Sequence, residues 1–257
     1  MKTLFLGDIV GQPGRNAVLA RLADLVDEHD IDFVVANGET AANGVGITSK
    51  IARRLLDGGV DVITTGNHIW RQRDVYSFLA EDDRILRPAN FPASNPGRGV
   101  TVRPARDGGE VAVLNLMGSV FMDVGLSPFR VVDALVDEAA QLSETVIVDF
   151  HAEATSEKVA MGKYLDGRVT AVVGTHTHVP TADEKVTPAG TAYITDVGMC
   201  GAYDSVIGVR TDIILRRFTS EMPAQFEVAD GDVRIDGLVV ESDGGRATNV
   251  ERIQATG

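Results

Sequence analysis

Four of the five histidines in this 257-residue chain stand just beyond short apolar runs, in Gly-rich or polar stretches. His68 closes Thr-Gly-Asn-His (65–68) after Val60-Asp-Val-Ile-Thr64, and His151 follows Thr145-Val-Ile-Val148 in Asp-Phe-His-Ala-Glu (149–153). His176 and His178 lie in Gly-Thr-His-Thr-His-Val-Pro (174–180), after Val169-Thr-Ala-Val-Val173. Two further strand-like runs end on carboxylates: Lys2–Leu6 leads to Gly7-Asp8, and Asp32–Ala36 leads to Asn37-Gly38-Glu39. Metal-ligating side chains thus gather at the carboxyl ends of five apolar strands, where open α/β sheets form their ligand crevice. The pattern reads as a hydrolytic metal centre.

The periodicity supports that placement. Strand 2–6 is followed by a helix over Arg15–Glu28, opened by Pro13-Gly14, with Val18, Leu19, Leu22, Leu25 and Val26 on one face. Strand 32–36 precedes the Gly-rich stretch 41–46. Thr48-Ser49 then caps a helix that Gly58-Gly59 ends near Asp57. Strand 60–64 and a helix near Arg73–Ala80 complete successive βαβ units, which predicts a largely parallel sheet. Residues 90–98 read as loop, and strands near 99–103 and 110–116 bracket the hairpin signal Arg106-Asp-Gly-Gly109. Helix 128–142, strand 145–150, helix 156–165 and strand 169–173 follow. Beyond Tyr193 the chain reads as strands again, with an Asp-Gly turn at 230–231 inside 225–242. No repeat or linker divides it, so residues 1–257 are expected to form one domain.

Composition narrows the partners. A net charge of −13 lacks the basic footprint that a long nucleic acid requires, whereas a small phosphorylated ligand can rely on a local divalent pair. The N-terminal apolar run is too short for a signal peptide, and no run reaches the ~18 apolar residues of a membrane span. The single cysteine, Cys200, excludes an internal disulfide and fits a reducing compartment, so a cytoplasmic protein is expected. A homo-oligomer is left open.

The candidate ligands are Asp8, Glu39, Asn67, His151, His176 and His178. Imidazole, carboxylate and amide donors suit Zn, Fe, Mn, Co or Ni, and no Cys cluster is present to build a closed structural site. Six ligands suit two adjacent ions sharing one carboxylate. Such a pair clamps a phosphoryl group and lowers the pKa of a bridging water. Taken alone, a strand-end His is most often an ordinary hydrogen-bonded residue, Asn67 a turn residue, and Asp8 or Glu39 a cap. It is their ordered succession that favours the site. His29 reads as a solvated helix-end residue. Cys200 reads as packing and not as a nucleophile. Gly7, Gly11 and Gly14 lack the Gly-Lys-Ser/Thr ending of a phosphate loop.

In order along the chain, Gly-Asp (7–8), Gly-Glu (38–39), Gly-Asn-His (66–68), His151 and Thr-His-Thr-His (175–178) resemble the motifs of calcineurin-like metallophosphoesterases. Longer stretches at 5–11, 36–39, 149–158, 174–183 and 195–201 are similar to the bacterial YmdB-type branch. The resemblance spans roughly residues 1–210. It implies a four-layer α/β/β/α sandwich, a dinuclear iron or manganese centre, and phosphodiesterase activity on small nucleotides such as 2′,3′-cyclic AMP. It also implies roles: Glu39 bridging, Asp8 and His178 on one ion, Asn67, His151 and His176 on the other, and His68 as general acid. Val10 stands where the wider superfamily has a His, and Glu39 where it has an Asp, so Thr40 or a water would complete the first site. A phosphomonoesterase with the same centre, or a low-turnover metal-bearing regulatory protein, are the rival readings. Loops 41–47, 88–98 and 117–128 are expected to wall the substrate pocket, Phe121–Pro128 foremost.

Overall fold

The computed structural model describes every residue except Val124. The chain opens with β1 (Lys2–Leu6), the short β2 (Asp8–Ile9), α1 (Gly11–His29) and β3 (Phe33–Asn37). It continues with α2 (Ser49–Asp57), β4 (Val62–Thr64) and α3 (Val75–Glu81). The second half holds β5 (Val100–Pro104), β6 (Glu110–Met117), α4 (Pro128–Leu142), β7 (Thr145–His151), α5 (Thr155–Tyr164) and β8 (Ala171–Thr175). Last come β9 (Lys185–Val186), β10 (Ala192–Ile194), β11 (Met199–Ala202), α6 (Thr211–Ser220), β12 (Val233–Asp243) and β13 (Arg246–Thr256).

Two sheets result. The first runs β2-β11-β12-β1-β3-β4, with β13 paired to β12; the second runs β5-β6-β7-β8-β10-β9. β1, β3 and β4 are parallel, as the βαβ succession predicts, and so are β6, β7, β8 and β10. The antiparallel β12 inserts beside β1, closing the first sheet with residues from the far end of the chain.

Strand alternation builds the layers. Leu4, Leu6, Val34 and Ala36 point to one side of the first sheet and pack with Val18, Leu22 and Leu25 of α1 and Leu55 of α2. Phe5, Phe33 and Val35 point to the other side and meet Val111, Val113, Ile147 and Val173 of the second sheet. Ala112, Leu114, Val148 and Phe150 then face outward onto Val132 and Val136 of α4 and Met161 of α5. Three apolar interfaces between four layers give the α/β/β/α sandwich. Each large aliphatic side chain so buried contributes about 1.5–3 kcal/mol relative to exposure.

Local chemistry accounts for most boundaries. Thr48 caps α2 by accepting the Ile51 N–H at 3.2 Å, and Gly59 leaves the helix at φ 108°. Pro128 sits in the first turn of α4, where its missing N–H costs nothing. Three expectations need correction. Helix α1 begins at Gly11, ahead of Pro13. Residues 211–220 form α6, not strand, burying Ile213 and Ile214. Asp230-Gly231 precedes β12 instead of turning a hairpin; the hairpin turn is Gly244-Gly245, at φ 52° and 76°, joining β12 to the unanticipated β13. Among the described residues, no helix is long and apolar enough to cross a membrane.

Candidate metal centre

The carboxyl ends of the two sheets meet along one edge, and the six candidate ligands converge there. Asp8 begins β2, Glu39 and Asn67 follow β3 and β4, His151 ends β7, and His176 and His178 follow β8. Asp8 and His151 are fully buried, Glu39 is 1% exposed and His178 9%. The approach of the two sheets dictates Gly66: a Cβ there would stand 2.1 Å from the His151 ring.

Hydrogen bonds assign the imidazole tautomers. The Thr175 hydroxyl donates to Asp149 at 2.7 Å, so its oxygen accepts from His151 Nδ1–H at 2.9 Å. His151 Nε2 therefore presents a lone pair to the centre. His178 Nδ1–H donates to the Ile207 carbonyl at 2.9 Å, leaving Nε2 bare at 3.7 Å from Asp8 Oδ1. His176 Nε2 lies 3.0 Å from Glu153 Oε2, a carboxylate that favours the ring proton on Nε2 and leaves Nδ1 bare toward the centre. Such outer partners fix ring orientation at metal sites.

Two electron-rich groups of atoms follow. Around His151 Nε2 stand His176 Nδ1 at 3.1 Å, Asn67 Oδ1 at 3.2 Å and Glu39 Oε1 at 4.0 Å. Ligand atoms ~2.1 Å from one ion stand roughly 3 Å apart, so this set has the right spacing. The second group is Asp8 Oδ1 and His178 Nε2. Asp8 Oδ2 accepts the His176 N–H at 3.0 Å, but Oδ1, although buried, has no hydrogen-bond partner. Burial, with the neighbouring Asp196 and Glu39 charges, pushes the Asp8 carboxyl well above its usual range. Burial holds His151 well below the usual imidazole range, and lowers His176 and His178 as well. A cation would satisfy the facing lone pairs beside the unpartnered Asp8 Oδ1, so the residues fit metal ions. Among the described residues, no group of three or more His, Cys, Asp or Glu side chains stands close enough together, as placed, to hold an ion.

His176 and His178 diverge as a turn allows: their φ angles are 98° and 65°, and one ring joins the His151 group while the other joins Asp8. Glu39 is held by the Gly66 N–H at 2.6 Å and by a short bond from the His68 N–H. His68 Nδ1 stands 3.1 Å from Glu39 Oε1 without the alignment of a hydrogen bond, and its ring, 29% exposed, borders the cavity. Thr40 also borders it, with its hydroxyl donating to the Ile9 carbonyl at 3.0 Å. Val10 is 2% exposed, borders the same cavity and lies against Gly201 and Gly208.

Residues missed in the sequence complete the site. Glu153 and Thr175 orient His176 and His151, and Asn37 donates to Asp149 Oδ2 at 2.9 Å. Burial pushes Asp149 up to about 7 despite these donors. Of the three loops expected as walls, 41–47 lines the cavity; 207–209 and 226–228 form the rest of its apolar side. Phe91, Phe121, Met122 and Asp123 border a neighbouring cavity that shares His176, and Val124 lies outside the described residues.

Two stacked mixed sheets, flanked by helices and carrying Asp, Glu, Asn and His side chains on their joint carboxyl edge, define a protein of the metallophosphoesterase type. Residues 4–253 match the YmdB-like protein family, and the chain belongs to it. It is 46% identical over 255 residues to the 2′,3′-cyclic-nucleotide 2′-phosphodiesterase of Bacillus subtilis strain 168, covering 98% of this chain and 96% of that protein. A crystal structure of a hypothetical protein from Thermus thermophilus superposes with a TM-score of 0.93 at 41% identity, covering 100% and 99% of the two chains. That of a phosphatase from Mycoplasma pneumoniae gives 0.92 at 36% identity, covering 100% of this chain and 93% of the other.

Proposed function

We propose that this chain is a metal-dependent phosphodiesterase that hydrolyses small nucleotide diesters, 2′,3′-cyclic nucleotides above all. The observation that carries the reading is the buried Asp8 Oδ1, unpartnered, beside bare imidazole nitrogens and a second carboxylate. In this reading Glu39 would be shared between two ions. Asp8 and His178 would hold one, and Asn67, His151 and His176 the other. Mixed N/O donors suit Zn, Fe, Mn, Co or Ni, and the resemblance to the metallophosphoesterases favours iron or manganese among them. Bound ions supply Lewis acidity toward the phosphoryl oxygens and a nucleophilic water at neutral pH.

The chain's own groups do the rest. Thr175 and Glu153 keep the His151 and His176 protons away from the ions, and Ile207 does the same for His178. His68, with its backbone anchored on Glu39 and its ring at the cavity, protonates the leaving oxygen. The activity of the Bacillus subtilis relative supports the substrate class. A buried, lone Cys200 is consistent with a cytoplasmic setting, and the β12–β1 pairing of chain ends with a single domain.

The test is a parallel screen of 2′,3′-cyclic nucleotides, linear dinucleotides and aryl phosphate monoesters, with metal content measured on the same preparation. Turnover of cyclic nucleotides with about two ions per chain is expected. Turnover of monoesters alone would overturn the diesterase reading, and no turnover by metal-loaded protein would overturn the enzyme reading.

A further inference from the structure

The cavity of about 320 Å³ that holds Asp8, Glu39 and His68 extends into an apolar recess that the chemistry above does not use. Val45, Ile207, Val209, Phe226 and Val228 wall it, with Val45, Ile207 and Phe226 39%, 49% and 46% exposed. A concave apolar wall beside a few convergent polar groups is the usual form of a small-molecule site.

The wall is a built element. Val206 and Val209 exchange backbone hydrogen bonds at 2.8 and 3.0 Å, the Arg210 N–H donates to the Glu227 carbonyl at 3.0 Å, and the Ala229 N–H to the Gly208 carbonyl at 2.9 Å. Arg210 binds the Glu227 carboxylate at 2.7 Å, and the Arg217 guanidinium lies 4.8 Å from the Phe226 ring centroid. Ile207 sits at φ 47°, a conformation that a β-branched side chain adopts only where its surroundings impose it. Its carbonyl orients His178, so the wall and the ligand cluster are joined through one residue.

From this we infer that the recess seats the nucleobase of the substrate, with Phe226 as stacking platform and Ile207 and Val45 closing the pocket. The inference rests on the nucleotide-diesterase reading. A phosphodiester drawn to the ligand cluster must direct its nucleoside along one of the cavity's walls, and a base offers a flat apolar face that stacks on aromatic side chains. The alternative direction is the neighbouring cavity bordered by Trp70, Phe91 and Phe121. That cavity reaches Asn67 and His176 but none of Asp8, Glu39, His68 or His178, and Arg71 and Asp123 border it. Asn43 brings the one side-chain amide among the described residues lining the recess, so the seat distinguishes purine from pyrimidine by stacking area more than adenine from guanine by edge contacts.

Calorimetric binding of 3′-AMP and of inorganic phosphate to metal-loaded protein tests the seat apart from turnover. Phe226→Ala is expected to weaken 3′-AMP about tenfold, the worth of one stacked base, with phosphate affinity unchanged. Phe226→Leu, which keeps the apolar volume, is expected to lose part of it, and Phe121→Ala nothing. KM for 2′,3′-cyclic AMP should rise by a similar factor in Phe226→Ala. Equal 3′-AMP affinity in wild type and Phe226→Leu and Phe226→Ala, an equal loss of phosphate affinity, or a loss carried by Phe121→Ala would each overturn the seat. Wild-type protein binding 3′-AMP no tighter than phosphate would do so too. If 3′-AMP binds through Phe226 but no cyclic nucleotide is hydrolysed, the seat stands and the diesterase reading fails.

Discussion

Lys158 Nζ lies 2.6 Å from Asp196 Oδ2, and both side chains are almost wholly buried. The same carboxylate accepts the Thr177 N–H at 3.0 Å and its hydroxyl at 2.7 Å, while Oδ1 accepts the Gly198 N–H at 2.9 Å. Thr177 separates His176 from His178, so this ion pair pins the turn that holds both imidazoles at positive φ. The two motif stretches at 149–158 and 195–201 meet in this contact.

Removing the cation leaves a buried, uncompensated carboxylate beside Asp8. Lys158→Met is therefore expected to cost about 3–5 kcal/mol in urea denaturation, with Asp196→Asn in the same chain recovering part of it. A loss below about 1 kcal/mol would mean that the pair is hydrated and contributes as little as a surface bridge.

Glu39→Gln should abolish turnover while the fold survives, because the change is isosteric and a neutral amide cannot bridge two cations. Circular dichroism and metal counting accompany the assay. Activity above about a tenth of wild type with full metal content would remove the bridging role from Glu39.

His68→Ala should lower kcat by about 10²–10⁴ with both ions retained, the usual contribution of a general acid. The loss should shrink for p-nitrophenyl esters, whose leaving group needs little protonation. Equal losses on good and poor leaving groups would make His68 a binding residue.

The two ions should differ in affinity. In the proposed assignment Asp8, His178 and a shared Glu39 would hold one, and Asn67, His151, His176 and Glu39 the other. Dialysis against chelator should strip the first sooner, and titrating metal back should give one tight and one weaker step. Two identical steps would refute the asymmetry. Val10→His, which places an imidazole on the cavity wall beside Gly201 and Gly208, should tighten the weaker step; an unchanged weaker step would mean that the ring does not reach the ion.

Sequence alone determined the elements that carry the site. Apolar runs ending in Gly-Asp, Gly-Glu, Gly-Asn-His and His-x-His are local signals, since strand alternation and turn chemistry act within a few residues. They single out Asp8, Glu39, Asn67, His151, His176, His178 and His68, which the structure brings to one edge of the two sheets. Tertiary structure decided how these side chains meet. His151 and Asn67 come from different sheets, and only the stacking of Phe5 and Phe33 against Val111 and Ile147 brings the two strand ends into contact. The protonation of each ring is likewise set across long stretches of chain, as by the Ile207 carbonyl on His178. Helix α6 escapes the sequence reading because the β-branched and aromatic residues at 206–219 carry strand propensity that packing overrides, and the β12–β13 hairpin because Asp230-Gly231 is as good a local turn signal as Gly244-Gly245. The cavity wall at Ile207 and Phe226 flanks α6 in the chain. Its role depends on where the segment folds back, which no local pattern records.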